Sequence, residues 1–256
     1  MLQLPTINSP VYEDKIISTG TPFYYRPFIL KEYKALLHCI SNNLSDEFIN
    51  TIVAIVNSCT FNKLDINKLT VFDVDYMFMR IRSKSVSDIV PLHYVCNNMI
   101  PSKETEGHFE TCGQKFTYSL DIKNIYIQNI DNYMNTQTVE ISEGIFIKLK
   151  APTFAKYRKV LAAKQDNKVQ TTDELLEYAF ACVDSIVHGD KIMLPDVDFT
   201  QTMFIEFIEN LPTNSVISII EFIQKLPTVA SDIKLRCPKC RNETNITVKG
   251  LDDFFG

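Results

Sequence analysis

The segment "LRCPKCRNETNITVKGLDDFFG" closes the chain and carries Cys237 and Cys240, two thiols separated by a proline and a lysine. Two thiolates on one short turn form half of a tetrahedral zinc site, and such a site needs about two further ligands. The sequence holds 7 cysteines, an odd number in a chain whose first residues have no secretory pattern, so reduced thiols or a metal are expected before a disulfide framework. Cys39, Cys59 and Cys182 fall in helical patterns, where a small buried residue is the ordinary reading. Cys96 and Cys112 differ. They flank a polar loop beside strand-like segments, and Gly113 follows the second of them. Cys96, Cys112, Cys237 and Cys240 are therefore predicted to hold one structural zinc that joins the middle of the chain to its closing hairpin. Two alternatives stay open. Cys96 and Cys112 can close a hairpin as thiols with no link to the second pair, or His93, Cys96, His108 and Cys112 can form a local set. The local set is disfavoured because His93 and Cys96 project from opposite sides of a strand. A thioredoxin-like role for CPKC is disfavoured because a strand pattern follows it, not the helix whose dipole would lower a thiol pKa.

Other chemistry is sparse. The 4 histidines form no HExxH or HxH pattern, no G-x-S-x-G is present, and the 7 glycines build neither common phosphate-binding loop. His38 and His188 lie in helical patterns. Asp73 and Asp75 do not share a helix face, and Asp73 fits the first turn of a helix, where the dipole favours it. Arg80, Arg82 and Lys84 in "RIRSKSVSD" read as a solvated helix end whose cations offset the dipole. A nucleic-acid patch is the alternative, and a net charge of -5 speaks against it. No apolar run reaches the roughly 20 residues of a spanning helix.

The elements that must position these groups follow from periodicity. Proline and β-branched residues make the first thirty residues extended, with a turn at Ser18-Thr19-Gly20. Three helices follow: "LKEYKALLHCISNN", with Leu30, Tyr33, Leu36, Leu37 and Ile40 on one face; "SDEFINTIVAIVNSC", capped by Ser45, with Phe48, Ile52, Ile55 and Val56 as its stripe; and "TVFDVDYMFMRIRSKS", capped by Thr70. The middle of the chain is β-rich and includes a strand pair turning at Glu143-Gly144. After Pro152 four helices are expected. The first starts behind Thr153. The second runs from a Thr171–Glu174 capping box through "VDSIVHGD" to Gly189, and the last two are each stopped by Leu-Pro. The class is α+β: N-terminal strands, a helical segment, a β-rich middle, C-terminal helices and a closing hairpin with a zinc knuckle. The soft boundary lies near Pro152. It divides the chain into 1–151 and 152–256, as two regions or as parts of one continuous domain.

Four stretches carry a resemblance. "STGTPFYYRPFILKEYKALL", "FDVDYMFMRIRSKSVSD", "YVCNN" with "TCGQKFTYSLDIKNI", and "FIQKLPTVASDIKLRCPKCRNETNITVKGLDDFF" are similar, in this order, to segments of the baseplate hub and hub-assembly proteins of T-even-type contractile-tailed bacteriophages. Ser87 and Asp88 stand where that family usually has Gly and Glu. The resemblance implies a non-enzymatic structural component or assembly factor of the central baseplate hub. Such a protein acts by protein–protein contact with other hub proteins, in the host cytoplasm during assembly or in the virion tail. Aromatic residues and arginines supply much of the affinity at such interfaces. The expected contact residues are Tyr24, Tyr25, Arg26, Phe28, Arg80, Arg82, Lys84, Phe254 and Phe255, with internal packing as the alternative for each. Two adjacent phenylalanines are worth about 1.5–3 kcal/mol each when buried, so the tail must dock on the body or on another chain. The rival classes are a zinc-stabilised nucleic-acid-binding module and a cell-wall hydrolase.

Overall fold

The computed structural model describes residues 8–42, 45–102, 107–133, 137–163 and 172–255. In chain order the elements are β1 (Tyr12–Lys15), β2 (Pro22–Tyr25), α1 (Leu30–Ser41), α2 (Ser45–Cys59), α3 (Val71–Ser85), β3 (Ile89–Val95), β4 (Met99–Pro101), β5 (Phe109–Thr111), β6 (Lys115–Asp121) and β7 (Tyr126–Gln128). There follow a one-turn α4 (Ile130–Tyr133), β8 (Gln137–Ser142), β9 (Ile145–Leu149), α5 (Phe154–Ala163), α6 (Thr172–Cys182), β10 (Val183–His188), β11 (Lys191–Met193), α7 (Gln201–Glu209), α8 (Thr213–Gln224), β12 (Thr228–Arg236), β13 (Glu243–Lys249) and α9 (Gly250–Phe255). Helices and antiparallel strands coexist in an α+β arrangement. The sheets run β1-β2, β11-β10-β9-β8, β13-β12-β7, β3-β6 and β4-β5. No helix among the described residues is long and apolar enough to cross a membrane.

Two apolar cores organise these elements. The first gathers Phe23, Tyr25, Val56, Val74, Phe78, Ile81, Val90, Leu120, Phe154, Val229, Ile233 and Phe254, from the N-terminal strands, α2, α3, the β3–β6 hairpin and the closing hairpin. The second gathers Val139, Ile147, Leu149, Phe180, Phe199, Phe204, Ile219 and Phe222, where the β8–β11 sheet packs on α6, α7 and α8. A cavity of about 310 Å³ lies where they meet, lined by Phe48, Phe72, Phe154, Tyr157, Tyr178 and Leu251 among others, with no cysteine or histidine in its wall.

Polar contacts fix the first region. Thr70 caps α3, and the buried Asp73 answers it: its carboxylate accepts from the Thr70 amide at 3.2 Å and the Thr70 hydroxyl at 2.6 Å. The same carboxylate accepts from Ser18, 2.9 Å from its amide and 2.6 Å from its hydroxyl. The Ser18-Thr19-Gly20 turn is thereby locked onto α3 across 55 residues of sequence. Gly20 makes that turn possible at φ 68°, a conformation that L side chains resist, with its amide donating to Ile16 at 2.7 Å. Arg26 forms a two-pronged pair with Glu32 at 2.8 and 3.0 Å and also reaches the Ser58 hydroxyl at 2.8 Å, binding β2, α1 and α2 together. Burial alone would raise the Glu32 carboxyl. Arg26, the Ile29 amide and the Ser58 hydroxyl outweigh it and hold Glu32 below the usual carboxylate range.

Several elements depart from expectation. The second helix after Pro152 ends at Cys182, and "VDSIVH" is strand β10, with Ile186 paired to Ile147 and Val187 to Phe146 of β9. His188 therefore lies in a strand. Its β-branched neighbours pack better on the pleated surface beside β9 than in a further helical turn. The buried side of α1 is Leu36 and Cys39, whereas Leu30 and Leu37 are exposed. The closing tail is a short helix, α9, burying Leu251 and Phe254. Phe48, Ile52, Ile55 and Val56 do line the inner face of α2, and Glu143-Gly144 does turn β8 into β9. The capping roles expected of Ser45 and of Thr171 with Glu174 lie outside the described residues.

Candidate metal centre

Strand β3 delivers Cys96 to the edge of the first core, and the chain then leaves as the β4–β5 arm and returns through Cys112 to β6. The Cys96 amide donates to Gln114 at 2.9 Å, the Gly113 amide to Cys96 at 2.9 Å and the Cys112 amide to Asn98 at 2.8 Å, so the base of the arm is cross-tied. Gly113 turns there at φ 64°. From the other side, β12 delivers Cys237 and the CPKC turn folds back, with the Cys237 amide on the Asn242 carbonyl and the Arg241 amide on the Cys237 carbonyl, both at 2.9 Å.

The four sulfurs converge. Cys96 and Cys240 are 3.7 Å apart, Cys112 and Cys237 3.8 Å, and all four sulfurs lie within 4.8 Å of one another. These are not disulfide distances, which are about 2.05 Å. A tetrahedral thiolate site with metal–sulfur bonds of about 2.3 Å has edges of about 3.8 Å. The quartet can therefore hold one ion with little rearrangement. Cys96, Cys112 and Cys237 are buried, Cys240 is half-buried, and Ile100 and Phe116 pack around them.

The surroundings favour a charged sulfur at Cys237. Burial raises the Cys237 thiol, but the Cys240 and Lys239 amides and the neighbouring thiols outweigh it and bring Cys237 down to about 6. The Asn98 amide lowers Cys96, whereas burial and proton sharing with the other three thiols push it up to about 12. Cys237 thus ionises ahead of Cys96. A cation at the centre would release the protons of the thiols that bind it. The Asn98 side-chain amide also donates towards the Cys240 sulfur at 3.7 Å, and Lys239 Nζ donates to the Cys112 carbonyl at 3.0 Å. These two contacts have no signal in the local sequence, because they join residues more than a hundred positions apart.

His93 is exposed on β3 beside Thr117, 3.3 Å away, and His108 is exposed on the arm, so the local histidine set is not assembled. A second group, His38, Cys39 and Glu47, also lies within 4.8 Å, at the exposed junction of α1 and α2. Periodicity gave no hint of it, because its members come from two helices.

The residues expected to contact a partner are placed unevenly. Tyr25, Phe28 and Phe254 are buried in the first core, and Tyr24 is exposed. Arg26 is engaged with Glu32 and Ser58. Arg80 pairs with Asp14 at 2.7 Å, and Lys84 is exposed with its ammonium 5.3 Å from the centre of the Tyr12 ring. Arg82 is buried and donates to the Ser87 carbonyl at 2.9 Å. The end of α3 is thus not the solvated run expected of it. Ser87 supplies the carbonyl that receives Arg82, and Asp88 pairs with Lys123 at 2.8 Å. The Phe255 side chain lies outside the described residues.

A family model described as T4 bacteriophage base plate protein matches residues 9–256. No curated protein and no solved structure matches the chain.

Proposed function

This chain belongs to the T4 bacteriophage base plate protein family, and from that premise we propose that it serves the central hub of the baseplate, as a structural component or assembly factor without enzymatic activity. It works by protein–protein contact with other hub proteins, in the host cytoplasm during assembly or in the virion tail. One structural zinc bound by Cys96, Cys112, Cys237 and Cys240 pins the β4–β5 arm to the closing hairpin. The observation that carries the role is the match over residues 9–256, which takes in both cores and the cysteine quartet. The observation that supports zinc is the tetrahedral edge length of the quartet, with amides directed at its sulfurs.

The competing reading, a zinc-stabilised nucleic-acid-binding module, loses Arg80 to Asp14 and Arg82 to an internal carbonyl. The hub reading is tested by mass spectrometry of purified virions and of baseplate intermediates from infected cells. The chain should occur with hub proteins in one or both. Its absence from both overturns the reading, and its presence in intermediates alone makes it an assembly factor.

A further inference from the structure

The β3–β6 hairpin and its arm have two unlike faces. Inward, Val90, Leu92, Tyr94, Phe116, Tyr118 and Leu120 pack on the first core. Outward, β3 exposes Ile89 and Val95, and the arm continues with Met99 and Phe109, respectively 42, 52, 55 and 65% accessible. On β3 itself, Pro91 and the exposed His93 stand between Ile89 and Val95, so the apolar run suited to being covered is Val95, Met99 and Phe109. At the Val95 end the charge is positive, whereas Asp121 stands opposite Ile89 and the exposed Glu110 follows Phe109 on the arm. Lys115 stands opposite Val95, and the knuckle adds Arg236, Lys239 and Arg241, all exposed and, among the described residues, in no ion pair. Arg236 stands across from Glu243, which Lys234 already pairs at 2.7 Å. This cationic end belongs to a chain of net charge -5.

We propose that this outer face, from Val95 through Met99 and Phe109 to the cations of the CPKC turn, is the docking surface for an acidic segment of another tail protein, anchored by apolar side chains. The inference rests on the reading that the chain acts by protein–protein contact. Charge complementarity selects the occupant: its carboxylates meet Lys115, Lys239 and Arg241 while its apolar residues cover Val95, Met99 and Phe109. A single strand of nucleic acid fits less well, because it wants aromatic platforms along its path and this row offers Phe109 alone. The cysteine quartet matters here because Cys96 and Cys112 bracket the arm, so clamping them to Cys237 and Cys240 fixes the apolar row relative to the cations.

The test places a photo-crosslinking phenylalanine analogue at Phe109 of the full chain, produced in infected cells, with the same analogue at exposed Ile192 in the other region as control. Phe109 should crosslink to one tail protein through a peptide with an excess of Asp and Glu, and Ile192 should not reach that peptide. Lys115→Glu with Arg241→Glu, in a chain whose thermal unfolding is unchanged, should lower that crosslink by about tenfold or more. The proposal is overturned by a crosslink to nucleic acid, to a second copy or to a peptide without acidic excess, by insensitivity to the charge reversals, or by no crosslink. If the charge-reversed chain keeps that crosslink while it accompanies hub proteins in the intermediates, this face is excluded and the hub role stands.

Discussion

The two cores are built on different principles. The first is crossed by specific polar bonds: Asp73 to Ser18 and Thr70, Arg26 to Glu32 and Ser58, Arg80 to Asp14, and the four converging thiols. The second is held chiefly by apolar packing of Val139, Ile147, Leu149, Phe180, Phe204 and Phe222, with one buried bond from the Ser215 hydroxyl to the Ile141 carbonyl at 3.4 Å and ion pairing at the margin, such as the exposed Lys150–Asp184 pair. All but the opening of the last stretch that resembles hub proteins falls in the first region. Bonds with defined donors and acceptors demand particular residues. An apolar layer accepts any side chains of suitable volume and period, because such substitution is tolerated when volume and pattern are kept.

That contrast can be broken experimentally. The largest effect should come from Cys237→Ser, which removes one arm of the clamp: metal content falls towards zero and the melting temperature, followed by circular dichroism, drops by more than about 10 °C. Asp73→Asn comes next. It keeps the volume but puts a donor among the Ser18 and Thr70 donors, and should cost roughly 3 kcal/mol in urea unfolding. Glu32→Gln should cost about 1.5–3 kcal/mol at neutral pH. It also changes the pH dependence. The folded Glu32 carboxyl titrates below its unfolded value, about 4.3. Its contribution is therefore complete above that value and is lost as pH falls through the folded one. The acid limb of a stability–pH curve should flatten in the variant. In the second region, Leu149→Met at a fully buried position should cost less than about 1.5 kcal/mol. A cost above that of Asp73→Asn would reverse the contrast. Smallest of all, Lys225→Ala, which breaks an exposed pair with Glu221, should change unfolding by less than about 0.5 kcal/mol.

Local periodicity made much of this legible. The stripe of α2, the Thr70 cap and the β8–β9 turn all follow from spacing within a few residues, and the two cysteine pairs follow from elimination among seven. Long-range pairing was not legible in the same way. Nothing in "STG" says that Ser18 meets Asp73, and nothing in "RIRSK" says that Arg80 is neutralised by Asp14, because such contacts depend on how distant elements stack. The overrun of α6 into β10 has a related cause. Val183, Ile186 and Val187 fit either a buried helical face or a buried strand, and only the neighbouring β9 decides between them. The tail helix had a usable signal in Gly250 followed by Leu251 and Phe254 at helical spacing.

The metal clamp is the claim on which the rest turns, and elemental analysis of the full chain, purified without added metal and with its thiols kept reduced, tests it most directly. The account predicts about one zinc per chain, removed together with the fold's stability by a strong chelator. Reduced protein that carries no metal and melts at the same temperature with or without zinc would contradict it.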